Sequence, residues 1–198
     1  MKLRFACLIH LCALFALSGA ASAGQSPTDL LRERDQSTRS YLSQHPLPLD
    51  GKQRAHIEEQ LNSLFDFEYI ALESVAAYKA KATPQQIKEY VDTFSRTTRR
   101  SSSSEEALKN LLQGKIKYLG EEKTAKGFTL VKTVLVKKNE EISVDYVFRQ
   151  DKNGWRIVNY VLDDVDLIDN YRGSFGKIIT DKGFAELIRR LKSKLSDA

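Results

Sequence analysis

The stretch Val144–Ile179 most constrains the fold of this chain, because its hydrophobic period changes along its length. Its first half alternates apolar and polar residues on either side of a polar turn at residues 151–154. Such alternation is typical of half-buried strands, and a glycine in the turn suits a tight connection. The pattern predicts an antiparallel hairpin. Its inner faces are expected to carry Val144, Tyr146 and Phe148 on one strand and Trp155, Ile157, Asn159 and Val161 on the other.

After the hairpin the apolar residues recur at helical spacing. Asp163 and Asp164 break the alternation, and either carboxylate could cap the N-terminus of a helix. The helix that follows is amphipathic, so it needs an apolar surface to cover, and the hairpin supplies the nearest one. Asp181 is expected to cap one further helix. The apolar stripe of the first helix consists of Ile168, Tyr171, Phe175, Ile178 and Ile179.

Upstream of this stretch the sequence predicts helices and then strands. Asp50 and Thr83 have the pattern of helix caps, and Gln86 completes a capping box with Thr83. Residues 115–120 and 128–137 have strand patterns. Together with the hairpin they predict an antiparallel meander of about four strands, and therefore an α+β fold.

The helix predicted from Thr83 has an unusual middle. Residues 97–104 read TTRRSSSS and contain no apolar residue. The small side chains could widen the mouth of a cavity, or this low-complexity run could divide the helix into two pieces. We favour one helix with a weakened middle.

Residues 1–23 have the pattern of a cleavable secretory signal, in which a positive start precedes an apolar run and a small-x-small site at residues 21–23. The apolar run has about thirteen residues, too few for a membrane span of about 20. A retained anchor is the alternative. Cleavage would leave residues 24–198 as a single domain without cysteines, so this mature chain would form no disulfide and offer no thiolate.

Cleavage would also lower the net charge. The sequence has 31 Lys and Arg residues against 26 Asp and Glu residues, and Lys2 and Arg4 lie in the predicted signal. The remaining excess is about three positive charges. Such a mild excess suits contact with anionic headgroups or acidic protein surfaces, and we expect no nucleic-acid partner.

The sequence after residue 23 contains no motif that indicates catalysis. His45 and His56 have no metal-ligating partners at suitable spacing, and no Gly-rich phosphate loop or Gly-x-Ser-x-Gly elbow is present. Asp163, Asp164 and Asp166 could bind a cation or transfer protons, but helix capping explains two of them. We therefore expect a protein that is not an enzyme and that binds no cofactor or metal.

The order of several short motifs resembles the MlaC-type periplasmic phospholipid-binding proteins, also called the toluene-tolerance or ABC-transporter auxiliary-component family. The resemblance covers nearly all of residues 24–198, and the order of the motifs is more specific than any single one. The matching pieces are Phe65-Asp66-Phe67-Glu68, Thr83-Pro84-Gln85-Gln86, Phe94, Val144-Asp145-Tyr146, Gly154-Trp155-Arg156-Ile157, Val165-Asp166-Leu167, Asn170-Tyr171-Arg172, Phe175, Gly183-Phe184 and Leu187-Ile188.

The resemblance implies an NTF2-like α+β fold in which helices wrap a curved antiparallel sheet of about four strands and enclose an apolar lipid cavity. The aromatic corner at Phe65 and Phe67 could hold acyl chains or be ordinary helix packing, and each candidate lining residue could equally belong to the core. The candidate lipid-binding residues are Tyr78, Val91, Phe94, Val134, Val144, Tyr146, Phe148, Trp155, Ile157, Tyr171, Phe175 and Ile179.

The resemblance also implies a function. Similar proteins carry phospholipid through the periplasm between an outer-membrane lipoprotein–porin complex and an inner-membrane ABC transporter with an MCE-domain subunit, and so maintain the lipid asymmetry of the outer membrane. A related branch accompanies hopanoid metabolism, so a polycyclic lipid is an alternative cargo. A lipid-free periplasmic adaptor is a further alternative, with a filled core. Mass spectrometry of lipids bound to the purified protein separates these three.

Overall fold

The computed structural model describes residues 24–138 and 140–197, so the predicted signal and its cleavage site lie outside the described residues. Within these residues, five α-helices precede a sheet and two follow it. In the described part of the chain, no helix is long and apolar enough to cross a membrane. The helices are α1 Pro27–Gln44, α2 Gly51–Asn62, α3 Phe67–Ser74, α4 Pro84–Ser102, α5 Glu105–Gln113, α6 Leu167–Lys182 and α7 Phe184–Asp197, with a 3-10 helix at Ala76–Lys81 between α3 and α4.

The described strands form one open antiparallel sheet in the order of the sequence. They are β1 Lys115–Lys123, β2 Thr129–Lys137, β3 Glu140–Asp151, β4 Gly154–Leu162 and β5 Val165–Asp166. The prediction of an α+β fold with helices around an antiparallel sheet is therefore confirmed. Two details were wrong, because the sheet has five strands in place of about four, and β1 continues to Lys123 beyond its predicted end at Gly120.

The fifth strand follows a tight turn at the two residues predicted to cap a helix. Asp163 and Asp164 have positive φ angles of 44° and 64°, a conformation that aspartate tolerates better than most residues, and they turn the chain into β5. Asp166 caps α6 instead, because its carboxylate accepts a backbone N–H bond at 3.0 Å. The predicted cap at Asp181 is also wrong, since α6 continues past it and Gly183, with φ 86°, separates α6 from α7.

A β-bulge in the β3–β4 hairpin decides which side chains face the helices. Near the turn Phe148 lies opposite Ile157, but beyond the bulge Tyr146 lies opposite Tyr160. The extra residue of a bulge exchanges the two faces of the strand that carries it. The prediction of Asn159 on the inner face is therefore wrong, and its side chain instead accepts a backbone N–H bond at the start of α6.

The serine run divides α4 from α5, so the continuous helix that we favoured is wrong. The α4 helix ends at Ser102, and the Ser104 hydroxyl caps α5 by accepting the backbone N–H of Ala107 at 3.3 Å. Serine hydroxyls compete with helical hydrogen bonds in this way. Asn62, which is 1% exposed, fixes the end of α4 by accepting a hydrogen bond from Ser102 at 3.0 Å and donating to the Arg99 carbonyl at 3.4 Å.

The main hydrophobic core lies between α3, α4, α6 and α7. Tyr90 of α4 is its centre, because its ring makes edge-to-face contacts with Phe175 of α6 and Phe184 of α7 at 6.2 and 5.6 Å between ring centroids. Its hydroxyl donates to the Ala71 carbonyl of α3 at 3.1 Å. A smaller cluster on the inner face of the sheet consists of Leu64, Val131, Phe148 and Ile157.

Asp66 connects the start of α3 to the sheet. One carboxylate oxygen accepts the backbone N–H of Tyr69 at 2.9 Å and so caps the helix, while the other accepts from the Arg149 guanidinium at 2.6 Å. The backbone N–H of Asp66 donates to the Ile157 carbonyl at 2.9 Å. One side chain therefore fixes the helix at the point where it meets β3 and β4.

Replacing Asp66 with alanine is expected to lower the free energy of unfolding by about 1–3 kcal/mol, because a helix cap and a charge-assisted hydrogen bond are lost together. Asp66→Asn keeps an oxygen for the cap and removes the charge, so it should cost less. Urea denaturation followed by circular dichroism measures both variants. An alanine variant as stable as the parent would contradict this double role.

Candidate functional site

A pocket of about 540 Å³ lies between α4, α6, α7 and the inner face of β3 and β4. This volume is within the range of about 300–1,000 Å³ that is usual for small-molecule sites. Its walls are mainly aromatic and aliphatic. The apolar lining consists of Phe65, Phe67, Phe94, Val144, Tyr146, Tyr160, Tyr171, Phe175, Ile178, Leu187 and Leu191.

Helical spacing brings the lining residues of α4 to one side. Phe94, Thr97, Thr98 and Ser101 are separated by three, one and three residues, so they share one face of the helix. Phe94 packs edge to face on Tyr171 of α6, with 5.2 Å between ring centroids. The deep end of the pocket is therefore aromatic, and the end near the serine run is lined by small hydroxyl side chains.

These hydroxyl groups already have hydrogen-bond acceptors within the protein. The Thr97 and Ser101 hydroxyls donate to the carbonyls of Thr93 and Thr97, four residues earlier, at 2.8 and 3.0 Å. The Ser102 hydroxyl donates to Asn62 and to the Arg99 carbonyl. Because these O–H groups already donate hydrogen bonds within the protein, a ligand does not need to provide acceptors for them.

The interior of the pocket is electrically neutral near pH 7. Burial raises the pKa of Tyr146, Tyr160 and Tyr171 above the ordinary value, so all three phenols stay protonated. No Asp or Glu residue lines this pocket in the described part of the chain. The charged residues that line it are Arg190 and Lys194, both exposed on α7. The site therefore has an uncharged interior and cations at its mouth.

A second cavity of about 170 Å³ adjoins the pocket, between α1, α2, α5 and the sheet. Phe65, Ser102 and Tyr146 line both spaces, so the two spaces are neighbours. The rest of the second cavity is mostly aliphatic, with Arg34, Asp35 and Thr38 of α1 on one side. Its aliphatic lining consists of Leu31, Leu61, Leu64, Ala107, Leu108, Leu111, Ile116 and Ile157.

The structure brings five of the twelve candidate lipid-binding residues together at the 540 Å³ pocket. These five are Phe94, Val144, Tyr146, Tyr171 and Phe175. Ile157 lines the second cavity, and Phe148 is fully buried beside it in the sheet core. The aromatic corner at Phe65 and Phe67 also reaches the pocket, so this segment contributes to the site as well as to helix packing.

The other five candidates lie away from the pocket lining. Ile179 is buried in the helical core, and Tyr78 and Val91 pack against it from the edge. The Trp155 indole donates to the Gln25 carbonyl at 3.1 Å, at the start of α1. Val134 alternates with the buried Val131 and Thr133, so it points to the opposite face of the sheet.

The candidate lipid-binding residues did not include the pocket residues of α7, Ile178 of α6 or Tyr160 of the sheet. Leu187 and Leu191 belong to an apolar stripe that is visible in the sequence, but nothing in that stripe tells which surface it covers. Arg190 and Lys194 belong to a run of basic residues, a pattern that is typical of a solvated helix face. Tyr160 was missed because the bulge, which exchanges it with Asn159, has no clear sequence signal.

The described residues contain no group of three or more His, Cys, Asp or Glu side chains that could hold a metal ion. The carboxylates Asp163, Asp164 and Asp166 instead serve the turn, the cap of α6 and neighbouring hydrogen bonds. Asp163 accepts the backbone N–H of Ser143 at 2.9 Å, and Asp166 accepts from Asn159 at 2.7 Å.

Comparison with known proteins agrees with this fold. A solved phospholipid-binding protein from Ralstonia solanacearum, in complex with a phospholipid, superposes with a TM-score of 0.65 at 18% sequence identity, over 86% of this chain and 92% of that one. No curated protein sequence matches the chain significantly. The family model described as MlaC protein matches residues 36–193. The chain therefore belongs to the MlaC protein family.

Proposed function

We propose that this protein binds a phospholipid in the 540 Å³ pocket and carries it. The observation that supports this most directly is the pocket itself, which has an aromatic interior without charge and two cations at its mouth. Acyl tails would occupy the interior, and the headgroup would stay near solvent. The likeness to a protein solved with a bound phospholipid agrees with this assignment.

Hydrophobic burial provides the affinity. Each methylene group removed from water contributes about 0.8 kcal/mol, so two long acyl chains supply far more than association costs. The second cavity, beyond Phe65 and Tyr146, offers space for part of a second chain. On this proposal the fold is an NTF2-like one that encloses a lipid cavity.

We also propose that the carrier works in the periplasm. The signal pattern in residues 1–23 and membership of the MlaC family support this location. Its partners would be an outer-membrane lipoprotein–porin complex and an inner-membrane ABC transporter with an MCE-domain subunit, and its role would be to maintain outer-membrane lipid asymmetry. Tight burial of the tails implies that a partner must open the pocket for release. The role is binding and transport rather than catalysis.

The proposal is tested by native mass spectrometry of the protein, expressed from the full sequence in a Gram-negative host and purified without detergent. We expect an added mass that matches a diacyl phospholipid and disappears on organic extraction. A mass that matches a polycyclic lipid would show that the cargo is a polycyclic lipid and not a phospholipid. A protein that carries no lipid would favour the adaptor and contradict the carrier function.

A further inference from the structure

The charged residues at the mouth of the 540 Å³ pocket are all positive among the residues that the structure describes. Arg190 and Lys194 are the two charged residues among its described lining residues, and both are cations. They lie four residues apart on α7, so they occupy the same face of the helix. The facing wall on α4 offers hydroxyl groups and no carboxylate, so no anion of the lining balances them.

The ion pairs of α7 leave positive charge on the pocket side. Glu186 bonds both Arg189 and Arg190, at 2.7 and 2.9 Å, so one carboxylate balances two guanidinium groups. Hydrogen bonds from these two arginines hold the pKa of Glu186 at about 2, so it stays ionised. Lys192 forms its ion pair with Glu89 on the side of α7 that lies away from the pocket. With Lys194 added, the mouth has a net positive charge.

A cation pair at the mouth of an apolar pocket matches one chemical class of ligand. Guanidinium and ammonium groups bind phosphate oxygens through charge-assisted hydrogen bonds. A lipid whose tails fill the pocket would place its phosphate at this level of the site. A zwitterionic headgroup adds an ammonium group that the two cations repel, whereas an anionic headgroup does not.

We propose that Arg190 and Lys194 bind the headgroup phosphate and select anionic lipids over zwitterionic lipids with the same tails. This inference rests on the proposed function, because it assumes tails in the pocket. Both cations are exposed, so each contributes to headgroup binding about as much as a surface ion pair does. The preference for anionic lipids is therefore modest and is weakened by salt.

The test is lipid exchange. Detergent-free protein is incubated with excess vesicles of equal parts phosphatidylglycerol and phosphatidylcholine with identical acyl chains, and bound lipids are measured by native mass spectrometry. We expect an enrichment of phosphatidylglycerol of about fivefold at low salt, the size that two exposed ion pairs give, and a smaller one in 1 M salt. The variant R190Q/K194Q should take up the two lipids equally.

The matched control is K177Q/K182Q, which removes the same charge from exposed positions of α6 that do not line the pocket and do not bond Glu186. It should keep the preference. Equal uptake of both lipids by the parent, or loss of preference in the control, would overturn the inference while leaving the carrier function intact. Uptake of neither lipid would instead contradict the proposed function.

Inorganic phosphate distinguishes a lipid headgroup from a free anion. Isothermal titration with phosphate should give no binding at micromolar concentrations, because two exposed cations without burial hold a small anion weakly. Phosphate binding that is lost in R190Q/K194Q, together with equal uptake of both lipids, would reassign the pair as a free-phosphate site and overturn the lipid selection.

Discussion

Thr98→Trp is expected to lower phospholipid binding about a hundredfold with little change in stability. Thr98 lines the 540 Å³ pocket from α4 and is only partly buried, so a larger side chain extends into the pocket rather than into the core. An indole there displaces about four methylene groups of an acyl chain, and each contributes about 0.8 kcal/mol, which gives roughly 3 kcal/mol or about two powers of ten. The measurement is the bound fraction in a vesicle exchange assay, with thermal unfolding in parallel.

Val134→Trp provides the matched control. Val134 was a candidate lipid-binding residue, but it lies on the face of the sheet opposite the pocket. The same bulky side chain placed there should leave lipid binding unchanged. If Thr98→Trp proves unstable, Ser101→Trp tests the same pocket from an exposed position at its mouth. Undiminished lipid binding in folded Thr98→Trp and Ser101→Trp proteins would refute the assignment of this pocket.

Tyr90→Ala is expected to lower the free energy of unfolding by about 3–5 kcal/mol, the usual cost of removing a fully buried aromatic ring. The ring is 0% exposed and contacts Phe94, Phe175 and Phe184, so its loss opens a cavity between α4, α6 and α7. This is a large part of the stability of an ordinary domain, which is about 5–15 kcal/mol. Urea denaturation followed by circular dichroism measures it.

Tyr90→Phe separates the ring from the hydroxyl group. The phenylalanine keeps the aromatic contacts and removes only the hydrogen bond to the Ala71 carbonyl, so the cost should be about 1 kcal/mol. Equal costs for the two variants would show that the hydrogen bond, and not the packing of the ring, holds α3 against α4.

Local patterns predicted much of the fold, because they depend on residues that are close in sequence. The alternation around the hairpin predicted two paired strands, and the Thr83–Gln86 capping box predicted the start of α4, where both reciprocal hydrogen bonds form. The identity of the family was also predicted from the order of short motifs and is confirmed by the family match.

The candidate site was harder to predict, because it depends on the register of strands and on how helices pack. The bulge exchanged Asn159 for Tyr160 on the inner face, although alternation alone favoured Asn159. Val134 and the buried Val131 are both valines of β2, so residue type does not distinguish them. Only the pairing of β2 shows which face of the sheet each one occupies. The contribution of α7 to the pocket depends on tertiary packing, which no local pattern contains.

The serine run affects the space for the cargo but is not part of the aromatic core that stabilises the fold. The small side chains of residues 101 and 102 line the pocket. They form hydrogen bonds with backbone carbonyls of their own helix or with Asn62 instead of packing into the aromatic core. Enlarging or reducing them would therefore change the space for a ligand while the contacts around Tyr90 stay as they are. Related chains could accept thicker or thinner acyl chains through substitutions at residue 101 with the same core and at little cost in stability, whereas a change at residue 102 would also break the hydrogen bond to the buried Asn62.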